Sequence, residues 1–150
     1  MHTATTINFY NSDNTKYKIK NKHLVIKWIE EIFHIENKKV ESISFVFCND
    51  TFLLNLNKTY LKHNTLTDII TFDYSEGELL SGDIFISLDR VNENAIKYKL
   101  HFEGELFRVM AHGILHLIGY TDKTNAECLD MRRKEDDCLI LWSKINKCST

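Results

Sequence analysis

The chain has 150 residues, of which 43% are apolar and 27% charged; the balance excludes a disordered or fibrous class, and the length fits one domain over residues 1–150. A formal net charge of −2 excludes a protein that grips long nucleic acid through bulk electrostatics, so any RNA contact has to be local. The opening "MHTATTINFYNSDNTKYK" has no apolar leader, and no stretch approaches the roughly 20 apolar residues that cross a bilayer, so a cytoplasmic protein with no membrane partner is expected.

In chain order, "ATTINFY" (4–10) is rich in β-branched and aromatic residues and predicts a first strand. Leu24, Val25, Trp28, Ile29, Ile32 and Phe33 then recur at helical spacing and predict an amphipathic helix. A second strand is expected at "SISFVFC" (42–48) and a shorter helix over residues 52–60. "TDIITFD" (67–73) and "DIFISL" (83–88) read as the third and fourth strands, joined in hairpin fashion by "YSEGELLSG", where Gly77 and Gly82 bracket a turn. The rest of the chain reads as helical. Thr124 with Glu127 three residues on is a capping-box signature that starts the last helix, whose apolar face is expected to hold Cys128, Met131, Cys138, Trp142 and Ile145. The order β-α-β-α-β-β followed by helices predicts an α+β fold: a single four-stranded mixed sheet covered by helices. No proline, repeat or low-complexity tract marks a linker.

Cys48, Cys128, Cys138 and Cys148 show no C-x-x-C spacing and read as free thiols. Two basic runs, Lys16 to Lys27 and Arg132, Arg133 and Lys134, read as solvated surface charge.

The chemistry concentrates in "HGILHLIGYTD" (112–122). On a helix, His112 and His116 project from one face a turn apart and can share an ion. Gly119 is suited to reversing the chain just past the last turn, and Asp122 follows where a returning ligand can reach the same ion. Its offset of ten from His112 equals that of the third histidine in the long zincin pattern. Three protein ligands leave a tetrahedral zinc one open position, as a catalytic site needs. Gly113 stands where a zinc peptidase has its catalytic glutamate, so zincin-type proteolysis is disfavoured, whereas polarisation of a phosphoryl oxygen or activation of a water is not.

"NKTYLKHNTLTDIITFDY", "SGDIFISLDRV" and "HGILHLIGYTD", in this order and spacing, resemble the YbeY family of metal-dependent endoribonucleases over roughly residues 40–140. The resemblance implies one α+β domain with a zincin-like metal-binding helix and one Zn2+. It implies action on single-stranded RNA in 16S rRNA 3′-end maturation and ribosome quality control. Its implied partners are small-subunit rRNA and the small ribosomal subunit with its proteins, with an assembly GTPase as a further candidate. On this reading His112, His116 and Asp122 hold the ion and carry the catalysis.

The chain departs from the family pattern at several positions. Asp122 replaces a third histidine and Thr121 an aspartate; a carboxylate is a legitimate zinc ligand but makes the ion a weaker Lewis acid. Leu61 replaces an arginine that would clamp phosphate, for which Lys62 or His63 could substitute, and Leu66 replaces a proline.

Glu105, seven residues before His112, lies about 10 Å along a helix axis from it, which suits support of the site or a pair with Arg108 better than ligation. Asp68 and Asp83 are candidates to orient a ligand histidine through its second ring nitrogen, or to hydrogen-bond a turn. His63 and His101 stay unassigned. Two competing readings remain: a non-catalytic ribosome-assembly factor with a structural zinc and, third, a metallopeptidase.

Overall fold

The computed structural model describes residues 5–12, 14–61 and 67–148. It contains strands β1 (Thr6–Asn11), β2 (Lys39–Cys48), β3 (Ile69–Asp73) and β4 (Leu79–Ser87), and helices α1 (Lys22–Ile35), α2 (Asp50–Leu56), α3 (Leu88–Lys97), α4 (Phe102–Ile118) and α5 (Asn125–Cys148). The sheet order is β1-β2-β4-β3, with β1 parallel to β2, β2 parallel to β4 and β3 antiparallel to β4. This is the expected mixed four-stranded α+β fold. The β3–β4 hairpin is the antiparallel element, and an isolated bridge between Glu76 and Leu79 closes its turn.

Several boundaries move for local reasons. Ala4 lies outside the described residues, and β1 starts at Thr6. α2 starts at Asp50 because the Asn49 side chain accepts the Phe52 N–H at 2.9 Å, an N-cap that periodicity alone overlooks. It then widens into a π-helical turn over Asn57–Leu61. Gly82 does not bracket the hairpin turn: it lies inside β4, opposite Asp73, and only Gly77 occupies the turn at φ 60°. Cys128 is exposed and not on the apolar face of α5, whereas Met131 and Cys138 are buried and Trp142 and Ile145 partly so.

One face of the sheet carries Ile7, Ile43, Phe45, Phe47, Ile84 and Ile86 into the main core with α1, α4 and α5. All six α1 residues of the predicted stripe are buried, each stabilising the fold by about 1.5–3 kcal/mol. Trp28 ties the layers together. Its indole donates to the Cys138 carbonyl at 2.8 Å, and its ring packs edge-on to Phe107 and Trp142. On the opposite face α2 covers one end of the sheet, with Leu53 against Cys48 and Ile70.

Helix α4 sits close to β3 and β4 because two glycines leave room. A Cβ at Gly113 would stand 2.8 Å from Ile69 Cδ1 and 2.9 Å from Ile84 Cγ2. At Gly82 it would stand 2.7 Å from the Phe72 carbonyl oxygen and 2.8 Å from Leu117 Cδ2. Overpacking of this kind costs about 1–3 kcal/mol, and a backbone oxygen yields less than the tip of an isoleucine. Urea denaturation is therefore expected to show Gly82→Ala losing more stability than Gly113→Ala, with Ile69→Val relieving the second substitution and not the first.

Candidate metal centre

His112 and His116 emerge half-buried from the last two turns of α4. The helix ends at Gly119, whose φ of 123° favours glycine, and whose N–H reaches the carbonyls of Leu115 and His116, both at 3.1 Å. From there four contacts hold the returning loop. The Tyr120 N–H donates to the Leu115 carbonyl at 3.0 Å, and its hydroxyl donates to both Glu36 carboxylate oxygens at 3.0 and 3.1 Å. The Thr121 hydroxyl donates to Glu127, and the Cys128 thiol donates to the Asp122 carbonyl at 3.1 Å. The capping box anchors the far end reciprocally, with Thr124 N–H to Glu127 Oε1 and Glu127 N–H to Thr124 Oγ1, both at 3.1 Å.

The result is a triangle of donor atoms. The Nε2 atoms of His112 and His116 are 2.9 Å apart, and Asp122 Oδ2 stands 3.3 Å from the first and 3.5 Å from the second. Tetrahedral zinc with bonds of about 2.0–2.1 Å requires donor separations of about 3.3–3.4 Å. The triangle brackets that edge. Two imidazole lone pairs held face to face also repel unless a cation or a proton lies between them, so the donor set fits one zinc ion.

The tautomer of His112 is set from behind. Its Nδ1–H donates to Glu135 Oε2 at 2.7 Å, which turns the Nε2 lone pair toward Asp122 and His116. Glu135 is buried and its other oxygen pairs with Arg108 at 3.1 Å, while Arg108 also reaches Asp136 at 2.7 Å. Burial pulls the His112 imidazolium pKa down, but the hydrogen bond and charge of Glu135, with Asp122 and Asp68, leave it above the ordinary value. In the metal-free protein a proton thus competes for the site, and metal binding has to displace it.

Neither aspartate proposed as the orienter makes that hydrogen bond. Asp83 alternates with Gly82 and Ile84, which face α4, so its side chain lies on the other face of the sheet, where its charge adds to the desolvation that raises the pKa of the Tyr74 hydroxyl. Asp68 lies at the entrance to β3, where burial lifts its carboxyl above the usual range while the charge of His112 opposes the shift. With Leu61, Asn57, Ile70 and the two histidines it lines a cleft of about 580 Å3 in front of the donor triangle. Glu105 is buried without the expected ion pair, since Arg108 turns to α5; burial lifts its carboxyl and the charge of Arg108 opposes the lift. Lys62, His63 and Leu66 lie outside the described residues.

Glu135 is the site residue that the sequence reading missed, and a signal for it existed. It falls between Met131 and Cys138 on the buried stripe of α5, where a carboxylate is expensive unless paired.

The helix-borne histidines, the glycine reversal and the returning carboxylate make this an α+β protein with a mononuclear, zincin-like metal helix. Residues 8–143 match the family described as Endoribonuclease YbeY. A protein of that name from Flavobacterium psychrophilum is 48% identical over 126 residues, covering 84% of this chain and 90% of the relative. Another, from Karelsulcia muelleri, is 44% identical over 142 residues, covering 95% and 99%. Among solved structures, the solution structure of TM1509 from Thermotoga maritima superposes with a TM-score of 0.65 at 25% identity over 94% of this chain and 92% of that one. The chain belongs to the endoribonuclease YbeY family.

Removing the charge behind His112 separates orientation from ligation. Glu135→Gln is expected to weaken zinc binding by about 10–100-fold, measured by competition with a chromophoric chelator, while the far-ultraviolet circular dichroism spectrum is unchanged.

Proposed function

We propose that the chain is a zinc-dependent endoribonuclease that cuts single-stranded RNA in ribosomal RNA processing, with His112, His116 and Asp122 as ligands of the catalytic ion. The observation that carries this reading is the convergence of those three donors at the head of the Asp68 cleft, in a chain of the YbeY family. Bound there, zinc supplies a Lewis acid for a phosphoryl oxygen and a means of activating the attacking oxygen at neutral pH.

The remaining work falls to the protein. Glu135 holds His112 in the ligating tautomer, so none of its orientation has to be found at the moment of reaction. Asp68, which lines the cleft beside the two histidines and whose carboxyl burial lifts above the usual range, is the carboxylate we assign to accept a proton there. Gly113 is turned into the sheet between Ile69 and Ile84 and presents nothing to the ion, which counts against the peptidase reading.

The small-subunit precursor and 16S rRNA 3′-end maturation are the substrate and step we assign, with the small ribosomal subunit, its proteins and an assembly GTPase as partners. A mildly acidic chain suits that assignment, because specificity then comes from the ribosomal particle and not from the chain's own charge. The whole chain acts as one catalytic domain on this reading. Leu61, apolar at the edge of the cleft, is the observation that favours the non-catalytic assembly factor.

Zinc content and cleavage of single-stranded rRNA fragments, measured on one preparation, decide between these readings. Wild type is expected to hold about one zinc and to cut. His116→Ala and Asp122→Ala are expected to fold, lose zinc and lose at least about a hundredfold in rate, more than a lost outer hydrogen bond removes. Zinc binding with no cleavage by wild type would establish the assembly factor instead. Asp122→His replaces an anionic ligand by a neutral one and makes the ion a stronger Lewis acid, so the acidic limb of its rate–pH profile is expected at lower pH than in wild type; coincident profiles would remove Asp122 from the ligand set.

A further inference from the structure

An endonuclease acts on an internal bond, so its substrate strand has to continue on both sides of the metal. His112 and Asp122 border three depressions, of about 580, 560 and 360 Å3. The first is the Asp68 cleft; the other two open toward α5 and α3. Among the described residues the cleft has no lysine or arginine in its wall. The other two share one cation, Arg132.

The four arginines differ in availability. Arg90 is held by Asp50 and Glu93, and Arg108 by Glu135 and Asp136. Arg133 lines none of the three depressions. Arg132 is exposed, borders both depressions on the α5 side and makes no ion pair with any described residue. A free guanidinium fork beside a metal is suited to two oxygens of one phosphate. Across the smaller depression stands Tyr98, 60% exposed, with Lys97 Nζ 5.3 Å from its ring centroid. An exposed ring of this kind offers a stacking platform to an unpaired base.

Resting on the endonuclease reading, we propose that Arg132 and Tyr98 form a subsite for a nucleotide flanking the scissile bond, with its phosphate on Arg132 and its base on Tyr98. The subsite supplies, from α5 and the end of α3, the phosphate contact that Leu61 cannot make. Glu105 is a competitor for Arg132, since the two line the same depression and interact electrostatically.

The test uses zinc-loaded protein and a fluorescent single-stranded oligoribonucleotide, with binding followed by anisotropy over a salt series and cleavage at single turnover. Arg132→Gln is expected to weaken binding about tenfold and to reduce the slope of log affinity against log salt by about 0.7, the value for one lost phosphate contact on a single strand. Tyr98→Ala is expected to weaken binding by about five- to a hundredfold, the range for one lost stacking contact, with the slope unchanged. Arg132→Lys is expected to restore the slope, and Arg133→Gln to match wild type. Zinc content and thermal midpoint stay constant throughout.

If wild type cuts and Arg132→Gln behaves like Arg133→Gln, the subsite is overturned and the nuclease reading stands. If wild type binds RNA through Arg132 and Tyr98 but never cuts, the nuclease reading falls and the nucleotide site stands. If Arg132→Gln lowers the thermal midpoint and Glu105→Gln restores both midpoint and RNA affinity, Arg132 only neutralises Glu105 and the subsite is overturned.

Discussion

The seating of α4 on β3 and β4 is the constraint from which the site follows. With glycine at positions 82 and 113 the helix approaches until Ile69 and Ile84 fill the space of a Cβ at Gly113, and Leu117 with the Phe72 carbonyl fills it at Gly82. A helix held that close cannot roll without colliding with the sheet. The residue next to Gly113 is turned about 100° around the axis, so His112, and His116 one turn later, point along the flank of the sheet into the cleft. The metal pair is thus aimed by packing, with no hydrogen bond to the sheet required. The same contact explains why the position after the first histidine carries no glutamate: that side chain would be driven into Ile69 and Ile84, not toward the ion.

Ligand placement beyond the helix depends on a second set of contacts, and these come from elements distant in sequence. Glu36 at the end of α1 receives the Tyr120 hydroxyl and lies 3.4 Å from Lys134 of α5. Glu135, one residue further along α5, holds His112. One turn of α5 therefore secures both sides of the donor triangle, the loop through Lys134 and Glu36 and the helix histidine through Glu135. Arg108 completes the arrangement by compensating a carboxylate that would otherwise be buried without a partner. Lys134, expected as surface charge, belongs to this support, and its ammonium also sits 5.5 Å from the centre of the Tyr120 ring.

What could be read in the sequence divides along the same line. The α1 stripe, the succession of strands and helices, the capping box and the three donors are all legible from spacing along the chain, and the structure brings them together as expected. Glu135, the exposure of Cys128 and the place of Gly82 depend on which faces meet after folding, and no window contains that information. Glu135 comes nearest to an exception, because a carboxylate on an apolar stripe announces a partner without saying which one. The π-helical turn at Asn57–Leu61 shows the reverse case: the apolar spacing indicated a helix, and the widening of its last turn left no mark in that spacing.

Charge closes the argument about substrate. Without a cation the cleft offers a polyanion the carboxylates of Asp68, Asp73 and Asp122, with no lysine or arginine among the described residues of its wall, and a phosphodiester would be repelled from it. Glu135 is already paired with Arg108, so one divalent ion neutralises Asp122 and leaves a positive charge where the scissile phosphate has to sit. The ion is then required for the substrate to approach as well as for its chemistry. In a chain whose net charge is −2, metal loading becomes the condition for RNA recognition at this site, and the affinity that remains has to come from a few well-placed side chains such as Arg132 or from the particle that presents the RNA.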